Sequence, residues 1–102
     1  MLRIVARHAD VWNPAADGLE AACAAGKQLL ASCHDVGRGP AEIRWSTQLE
    51  FDGNTPSAMF EQMRRWHAAG FSELIISCTG PEPVKAAEVA AEKLLRAARE
   101  LL

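Results

Sequence analysis

Residues 43–51 read Ile43-Arg44-Trp45-Ser46-Thr47-Gln48-Leu49-Glu50-Phe51. The alternation has a period of two, which predicts a β-strand because successive strand side chains point to opposite faces. One face carries Ile43, Trp45, Thr47, Leu49 and Phe51, and the other carries Arg44, Ser46, Gln48 and Glu50. Strands of an all-parallel sheet are usually apolar on both faces. We therefore expect the polar face to line a pocket or a barrel lumen, or to contact water.

Helices are predicted on both sides of this strand. Before it, apolar residues recur at helical spacing from the expected N-cap Asp17 to Val36, and Gly37 suits a left-handed C-cap. Gly26, inside this helix, predicts close packing of the helix on the sheet, and the alternative is that it is simply a weak point of the helix. After the strand, Thr55-Pro56 opens the next helix with a cap and a proline at the first helical position.

Shorter segments complete the pattern. Residues 9–13 and 74–78 are predicted strands, and residues 2–8 and 83–102 are predicted helices. The run 74–78 is continuously apolar, which predicts a strand covered on both faces. Alternating strands and helices indicate an α/β fold with three parallel strands and helical crossovers. Three strands cannot close a barrel, so we expect a partial TIM-barrel-like fragment that forms a single domain over residues 1–102.

Composition excludes several classes of function. The chain has 102 residues and a formal net charge of -2 with no basic stretch, which argues against nucleic-acid binding. Its apolar runs are too short to cross a membrane, and it shows no signal-peptide pattern. Cys23, Cys33 and Cys78 are widely spaced, which favours reduced thiols in the cytoplasm over a disulfide framework or a zinc site.

Positions at the carboxyl ends of the predicted strands are the first site candidates, because barrel active sites are built at the carboxyl ends of strands. These positions are Trp12, Asn13, Glu50, Asp52, Cys78 and Thr79. Glu50 and Asp52 suggest an acid–base pair, although aspartate at a turn more often forms local hydrogen bonds. Cys78 has no histidine placed by the sequence to activate it. Thr79-Gly80 precedes a helix, where an anion can meet the helix N-terminus.

Histidines and tryptophans are better explained by structure than by chemistry. His8, His34 and His67 each fall in the last turn of a predicted helix, where an imidazole interacts favourably with the helix dipole. No pair of them has metal-ligand spacing, so no metal site is expected. The three tryptophans, Trp12, Trp45 and Trp66, are expected as core anchors in preference to stacking platforms.

Three stretches of sequence carry a family resemblance. They are Leu2-Arg3-Ile4-Val5-Ala6-Arg7-His8-Ala9-Asp10-Val11-Trp12-Asn13, Cys33-His34-Asp35-Val36-Gly37-Arg38-Gly39-Pro40-Ala41-Glu42-Ile43, and Gly70-Phe71-Ser72-Glu73-Leu74-Ile75-Ile76. Their order and spacing resemble the carboxyl-terminal portion of the luciferase-like flavin- and deazaflavin-dependent oxidoreductases. The resemblance spans essentially the whole chain and implies a segment of a (β/α)₈ barrel.

The resemblance also implies a chemistry, namely hydride transfer between FMN or coenzyme F-420 and a small organic substrate. Trp12, Asn13, Thr79 and Gly80 are the candidate cofactor contacts. In the family, a glycine-rich phosphate loop and earlier strands hold most of the cofactor, and neither precedes these stretches here. We therefore expect no cofactor and no catalysis for the isolated chain, and the resemblance transfers no catalytic residue.

A second hypothesis needs no enzyme. A three-stranded sheet has unpaired edges that invite pairing with another copy, and the polar face of the strand at residues 43–51 must be hydrated or covered. We expect a homo-oligomer, most simply a twofold dimer. In this alternative the chain is a stand-alone, self-associating α/β protein that binds a small ligand or a protein partner.

Overall fold

The computed structural model describes residues 2–14 and 18–101. The elements lie close to the positions predicted from the sequence. In chain order they are α1 (Leu2–His8), β1 (Val11–Trp12), α2 (Leu19–Val36), a 3₁₀ turn (Pro40–Glu42), β2 (Arg44–Phe51), α3 (Pro56–Ala68), β3 (Glu73–Cys78) and α4, whose three consecutive parts are Pro83–Val89, Ala90–Leu94 and Leu95–Leu101.

The strands form a parallel three-stranded sheet in the order β1-β2-β3, which confirms the α/β prediction for the described residues. In the β1–β2 ladder, Val11 pairs with Arg44 and Trp12 with Trp45. At the other end of β2, the Thr79 N–H donates to the Phe51 carbonyl at 2.9 Å. This short bond brings the carboxyl ends of β2 and β3 side by side.

By its internal contacts the chain forms two compact units, residues 1–46 (the N-terminal unit) and residues 47–102 (the C-terminal unit). The boundary falls inside β2, which begins in one unit and ends in the other. The expectation of one domain over residues 1–102 stays a prediction.

In the N-terminal unit, α2 packs on the face of β2 that carries Trp45. A Cβ placed on Gly26 would lie 2.6 Å from Trp45 Cη2, so only glycine permits this approach. Trp45 in turn meets Trp12 edge-on, with ring centroids 5.0 Å apart. The expected close packing at Gly26 is therefore confirmed, and the indole ring fills the space that a side chain would occupy.

The ends of α2 are set by two glycines. Gly37 has φ 72°, the left-handed conformation expected for the C-cap. The N-cap position is taken by Gly18, which makes no side-chain capping bond. The predicted cap Asp17 lies outside the described residues.

In the C-terminal unit, the core is built on α3, whose buried side chains are Met59, Met63 and Trp66. Pro56 occupies the first helical turn as predicted, but Thr55 at the N-cap has φ 46° and its side chain caps no backbone N–H. Phe71 is fully buried and meets Trp66 edge-on at 4.8 Å, and its N–H donates to the Trp66 carbonyl. Such a hydrophobic contact commonly accompanies a glycine at the end of a helix, here Gly70 with φ 108°.

The prediction that residues 74–78 form a fully covered strand is wrong. The side chains of β3 are half-buried except that of Ile75, which is 40% exposed. β3 is an edge strand of the sheet, and α4 does not close tightly over it. Within α4, the segment Ala90–Leu94 is π-helical, with the Leu95 N–H bonded to the Ala90 carbonyl five residues earlier.

Candidate functional site

The four polar residues of β2 do not share one environment. Arg44, Gln48 and Glu50 are exposed, whereas Ser46 is 1% exposed. The Ser46 hydroxyl accepts a hydrogen bond from Asn13 Nδ2 at 3.2 Å, so its burial is compensated. Exposure of the other three agrees with a strand face not covered by helices, while the predicted pocket along this face stays a prediction.

Trp12 and Asn13, two candidate cofactor contacts, lie in the N-terminal unit. Trp12 is 7% exposed and packs edge-on against Trp45, which is the core role expected for it. Asn13 is exposed, and its amide is engaged with Ser46. Trp12 therefore offers little ring surface to a planar cofactor.

In the C-terminal unit, a groove of about 270 Å³ lies where β2 and β3 end. We call it the strand-end groove. Its lining combines the carboxyl ends of both strands with the first turns of α3: Glu50, Phe51, Asp52, Asn54, Thr55, Ala58, Met59, Gln62 and Thr79. The groove thus joins three of the predicted site positions, Glu50, Asp52 and Thr79.

The local geometry explains this grouping. The Asp52 carboxylate accepts the Asn54 N–H at 2.9 Å, which is the local turn role expected for an aspartate there. Gly80 has φ 89°, and a Cβ on it would lie 3.3 Å from the Asp52 Cβ. The Thr79-Gly80 turn is therefore pressed against the Asp52 turn, and an anion bound at Thr79-Gly80 would approach a carboxylate.

The described side chains of the strand-end groove can form hydrogen bonds to a polar ligand. Glu50 offers an exposed carboxylate, and Thr55, Thr79 and Gln62 offer hydroxyl and amide groups. These groups can both donate to and accept from a polar ligand. Among the described residues that line the groove there is no histidine or cysteine, so these residues include no activated nucleophile of the cysteine–histidine kind.

Sequence reasoning missed the contribution of α3 to this groove. Thr55, Ala58 and Gln62 are three and four residues apart, which places them on one helical face. That spacing was visible in the sequence, but it marks a polar stripe of the kind that solvent-exposed helix faces usually carry. Only the position of α3 beside the strand ends gives the stripe a role.

A second concavity of about 320 Å³ lies in the C-terminal unit between one face of β3, the second half of α3 and α4. We call it the apolar cleft. Its lining residues are Met63, His67, Ser72, Leu74, Ile76, Cys78, Ala87, Ala90, Ala91, Leu94, Leu95, Ala98 and Leu101.

The histidines lie in the last turns of their helices, as predicted. His8 and His34 are exposed, and His67 is half-buried at the edge of the apolar cleft. Cys78 lines the same cleft, but at the far end of β3, whereas His67 lies near the connection from α3 to β3. The six residues of β3 separate these ends by roughly 20 Å, so the two side chains are not a catalytic pair.

Residues 2–14 and 18–101, the part of the chain that the structure describes, lack two kinds of feature. Those residues contain no cluster of three or more histidine, cysteine, aspartate or glutamate side chains able to hold a metal ion. None of their helices is both long and apolar enough to span a lipid bilayer. In the same residues Cys23, Cys33 and Cys78 are free thiols.

Comparisons with known proteins add no assignment. The chain matches no protein-family model, no curated protein and no solved structure.

Proposed function

We propose that the chain is a segment of a β/α barrel of the luciferase-like oxidoreductase kind, not catalytic on its own. The observation that carries the proposal is β2. It lies in a parallel sheet, one of its faces is buried, and Arg44, Gln48 and Glu50 on the other face are exposed. In a β/α barrel, helices cover the outer face of every strand, and the inward side chains are enclosed only by the other strands of the barrel.

In such an enzyme the whole barrel would transfer hydride between FMN or coenzyme F-420 and a small organic substrate. The described residues do not form a cradle for either cofactor. Trp12 is packed in the core, and the Thr79-Gly80 turn lies against Asp52, whose carboxylate would repel a phosphate. We therefore assign no cofactor contact to these residues and derive no chemical step from them.

A second candidate function is a self-associating α/β protein without catalysis. It is favoured by the apolar side chains exposed on the two edge strands, Val11 on β1 at 44% and Ile75 on β3 at 40%. Unpaired strand edges that carry apolar residues are templates for pairing with another chain. In this proposal the protein is a homo-oligomer, most simply a twofold dimer.

Purification of the chain distinguishes the two candidates. Its absorbance spectrum is recorded for a flavin or deazaflavin chromophore, FMN and coenzyme F-420 are then titrated against it, and light scattering gives its mass. A retained chromophore, or saturable binding of either cofactor, supports the oxidoreductase segment, and would also show that the isolated chain keeps part of a cofactor site, against our expectation for the chain alone. A colourless dimer that binds neither cofactor supports the second candidate, and a colourless monomer contradicts the self-association proposal.

Residence in the cytoplasm belongs to the same proposal. Free thiols at Cys23, Cys33 and Cys78 support it, because reducing compartments keep cysteines unpaired.

A further inference from the structure

The apolar cleft of the C-terminal unit has the dimensions of a small-molecule site. Its volume of about 320 Å³ lies at the lower end of the range for ligand pockets, roughly 300–1,000 Å³. Three elements line it, and ten of the thirteen lining residues that the structure describes are alanine, leucine, isoleucine or methionine. Protein interiors normally close such spaces, because every unfilled gap loses dispersion contacts.

Two features of α4 keep the cleft open. Four alanines, Ala87, Ala90, Ala91 and Ala98, present only methyl groups to it. The π-helical segment Ala90–Leu94 forms part of the same wall, and π-helical turns interrupt α-helices frequently at functional sites. As a result Leu74 and Ile76 of β3 are only half-buried, and Leu95 at the cleft is 56% exposed.

The shape of the cleft selects the kind of occupant. The lining follows β3 from Ser72 to Cys78, a length of roughly 20 Å. A volume of about 320 Å³ spread over that length leaves a channel too narrow for a partner helix, whose diameter with side chains is about 10–12 Å. An extended aliphatic chain fits a channel of this form along its whole length, whereas a helix lying on the cleft could insert only single side chains.

The polar groups of the cleft are unevenly distributed. His67, in the last turn of α3, and Ser72, just before β3, both lie near the connection between these elements. An imidazole N–H and a hydroxyl are hydrogen-bond donors suited to a carboxylate. Along the rest of the channel, the Cys78 thiol, a weak donor, is the only polar group on the described lining side chains.

We propose that the apolar cleft binds a medium-chain aliphatic monocarboxylate. The hydrocarbon tail lies along Leu74 and Ile76, and the carboxylate accepts hydrogen bonds from His67 and Ser72 at the α3 end. This site is independent of the oxidoreductase proposal, since it lies wholly within the C-terminal unit and involves neither a cofactor nor the exposed face of β2.

Titration of the full-length chain with decanoate, below its micelle concentration, tests the proposal. Amide chemical shifts in the ¹H–¹⁵N spectrum report where the probe binds. Saturable shifts confined to the second half of α3, β3 and α4 are the expected result. Absence of saturation, or shifts centred on residues 2–46, would overturn the site.

Filling the cleft should abolish binding. Ala90→Leu and Ala98→Leu each extend a side chain into the channel, and each should weaken decanoate binding by about ten- to a hundredfold, the effect of methylene-sized changes in an apolar pocket. Ala24→Leu, at an exposed position of α2, is the matched control and should leave affinity unchanged. Circular dichroism verifies folding, and undiminished binding by both filled variants contradicts the proposal.

The head group is tested by comparing decanoate with decan-1-ol. His67→Leu removes the donor and should weaken the binding of decanoate roughly fivefold, while the affinity for decan-1-ol should change little. His67→Gln restores an N–H donor and should recover most of the loss. Equal effects of His67→Leu on both probes would show that His67 does not bind the carboxylate.

Discussion

The two units use the same pattern of strand and helix but pack it differently. In the N-terminal unit, α2 approaches β2 so closely at Gly26 that the Trp45 ring fills the interface. In the C-terminal unit, α4 presents alanines to β3, yet a cleft of about 320 Å³ remains. Small residues alone therefore do not bring a helix onto a sheet. A large side chain on the opposite element must fill the space that they leave.

The same contrast appears in what each strand exposes. Trp12 and Trp45 of the N-terminal unit pack against each other, and Leu29 and Cys33 of α2 are almost fully buried. In the C-terminal unit the tight contacts are concentrated at Phe71 and Trp66, at one end of β3, while the middle of β3 is half-exposed. The C-terminal unit thus combines one dense anchor with one loosely packed region.

Removing that anchor should have the largest effect. Phe71 is fully buried against Trp66, so Phe71→Ala should lower the free energy of unfolding by roughly 3–5 kcal/mol. Urea denaturation followed by circular dichroism measures the loss. The control is Val84→Ala at a position 73% exposed, where a change within about 0.5 kcal/mol is expected. Similar losses of stability from the two substitutions would contradict the interpretation that the contact between Phe71 and Trp66 anchors the C-terminal unit.

An identical substitution in both units tests the comparison directly. Ala22 is fully buried in α2, so Ala22→Leu should lower the free energy of unfolding by about 1–3 kcal/mol through overpacking. Ala90 faces the apolar cleft, so Ala90→Leu should change it by less than about 0.5 kcal/mol or raise it. Urea denaturation of both variants and of the unmodified chain measures these changes in the free energy of unfolding. If Ala90→Leu lowers the free energy of unfolding as much as Ala22→Leu does, the cleft is closed in solution.

The contact between Gly26 and Trp45 can be isolated by a double-mutant cycle. Gly26→Ala improves helix propensity but forces a methyl group into the indole ring, and a net loss of roughly 1–2 kcal/mol is expected. With Trp45→Leu already in place, the same alanine should be neutral or stabilising. Thermal and urea unfolding of the four proteins give the coupling energy. Additive effects would show that the two residues do not constrain each other.

Local features of the sequence predicted much of this fold. The alternation from Ile43 to Phe51 located β2 to within one residue, since a period of two is incompatible with a helix. Gly26 and Gly37 were interpretable because each meets a requirement that only glycine satisfies readily, close approach in one case and positive φ in the other.

The features that the sequence could not predict are those that depend on the distance between two packed elements. The run 74–78 is as apolar as a buried strand, and nothing in it indicates that β3 is an edge strand or that α4 stands off from it. The π-helical turn at Ala90–Leu94 likewise has no signature in an alanine-rich helix. Of the candidate sites, the grouping of Glu50, Asp52 and Thr79 could be predicted, because the carboxyl ends of parallel strands meet at one edge of the sheet. The contribution of Gln62 could not be predicted, because it depends on where α3 packs.

Two arginines extend the comparison to polar contacts and carry the smallest expected effects. Arg38 has a side chain 15% exposed, and its Nη1 donates to the Ala6 carbonyl at the end of α1 at 3.1 Å. Arg64 pairs with Glu61 on the surface of α3, with both side chains more than half exposed. Arg38→Ala removes a donor from a partly buried carbonyl and should cost about 1 kcal/mol.

For the exposed pair, Arg64→Ala should cost only about 0.2–0.5 kcal/mol, because water and salt screen a surface ion pair. Urea denaturation at low and at high salt separates the two cases. Added salt should remove most of the Arg64 effect and leave most of the Arg38 effect, since a hydrogen bond to a carbonyl is less sensitive to screening than an ion pair. If Arg38→Ala proves as mild and as salt-sensitive as Arg64→Ala, then the weak ion pair with Asp10, and not the bond to Ala6, is what Arg38 contributes.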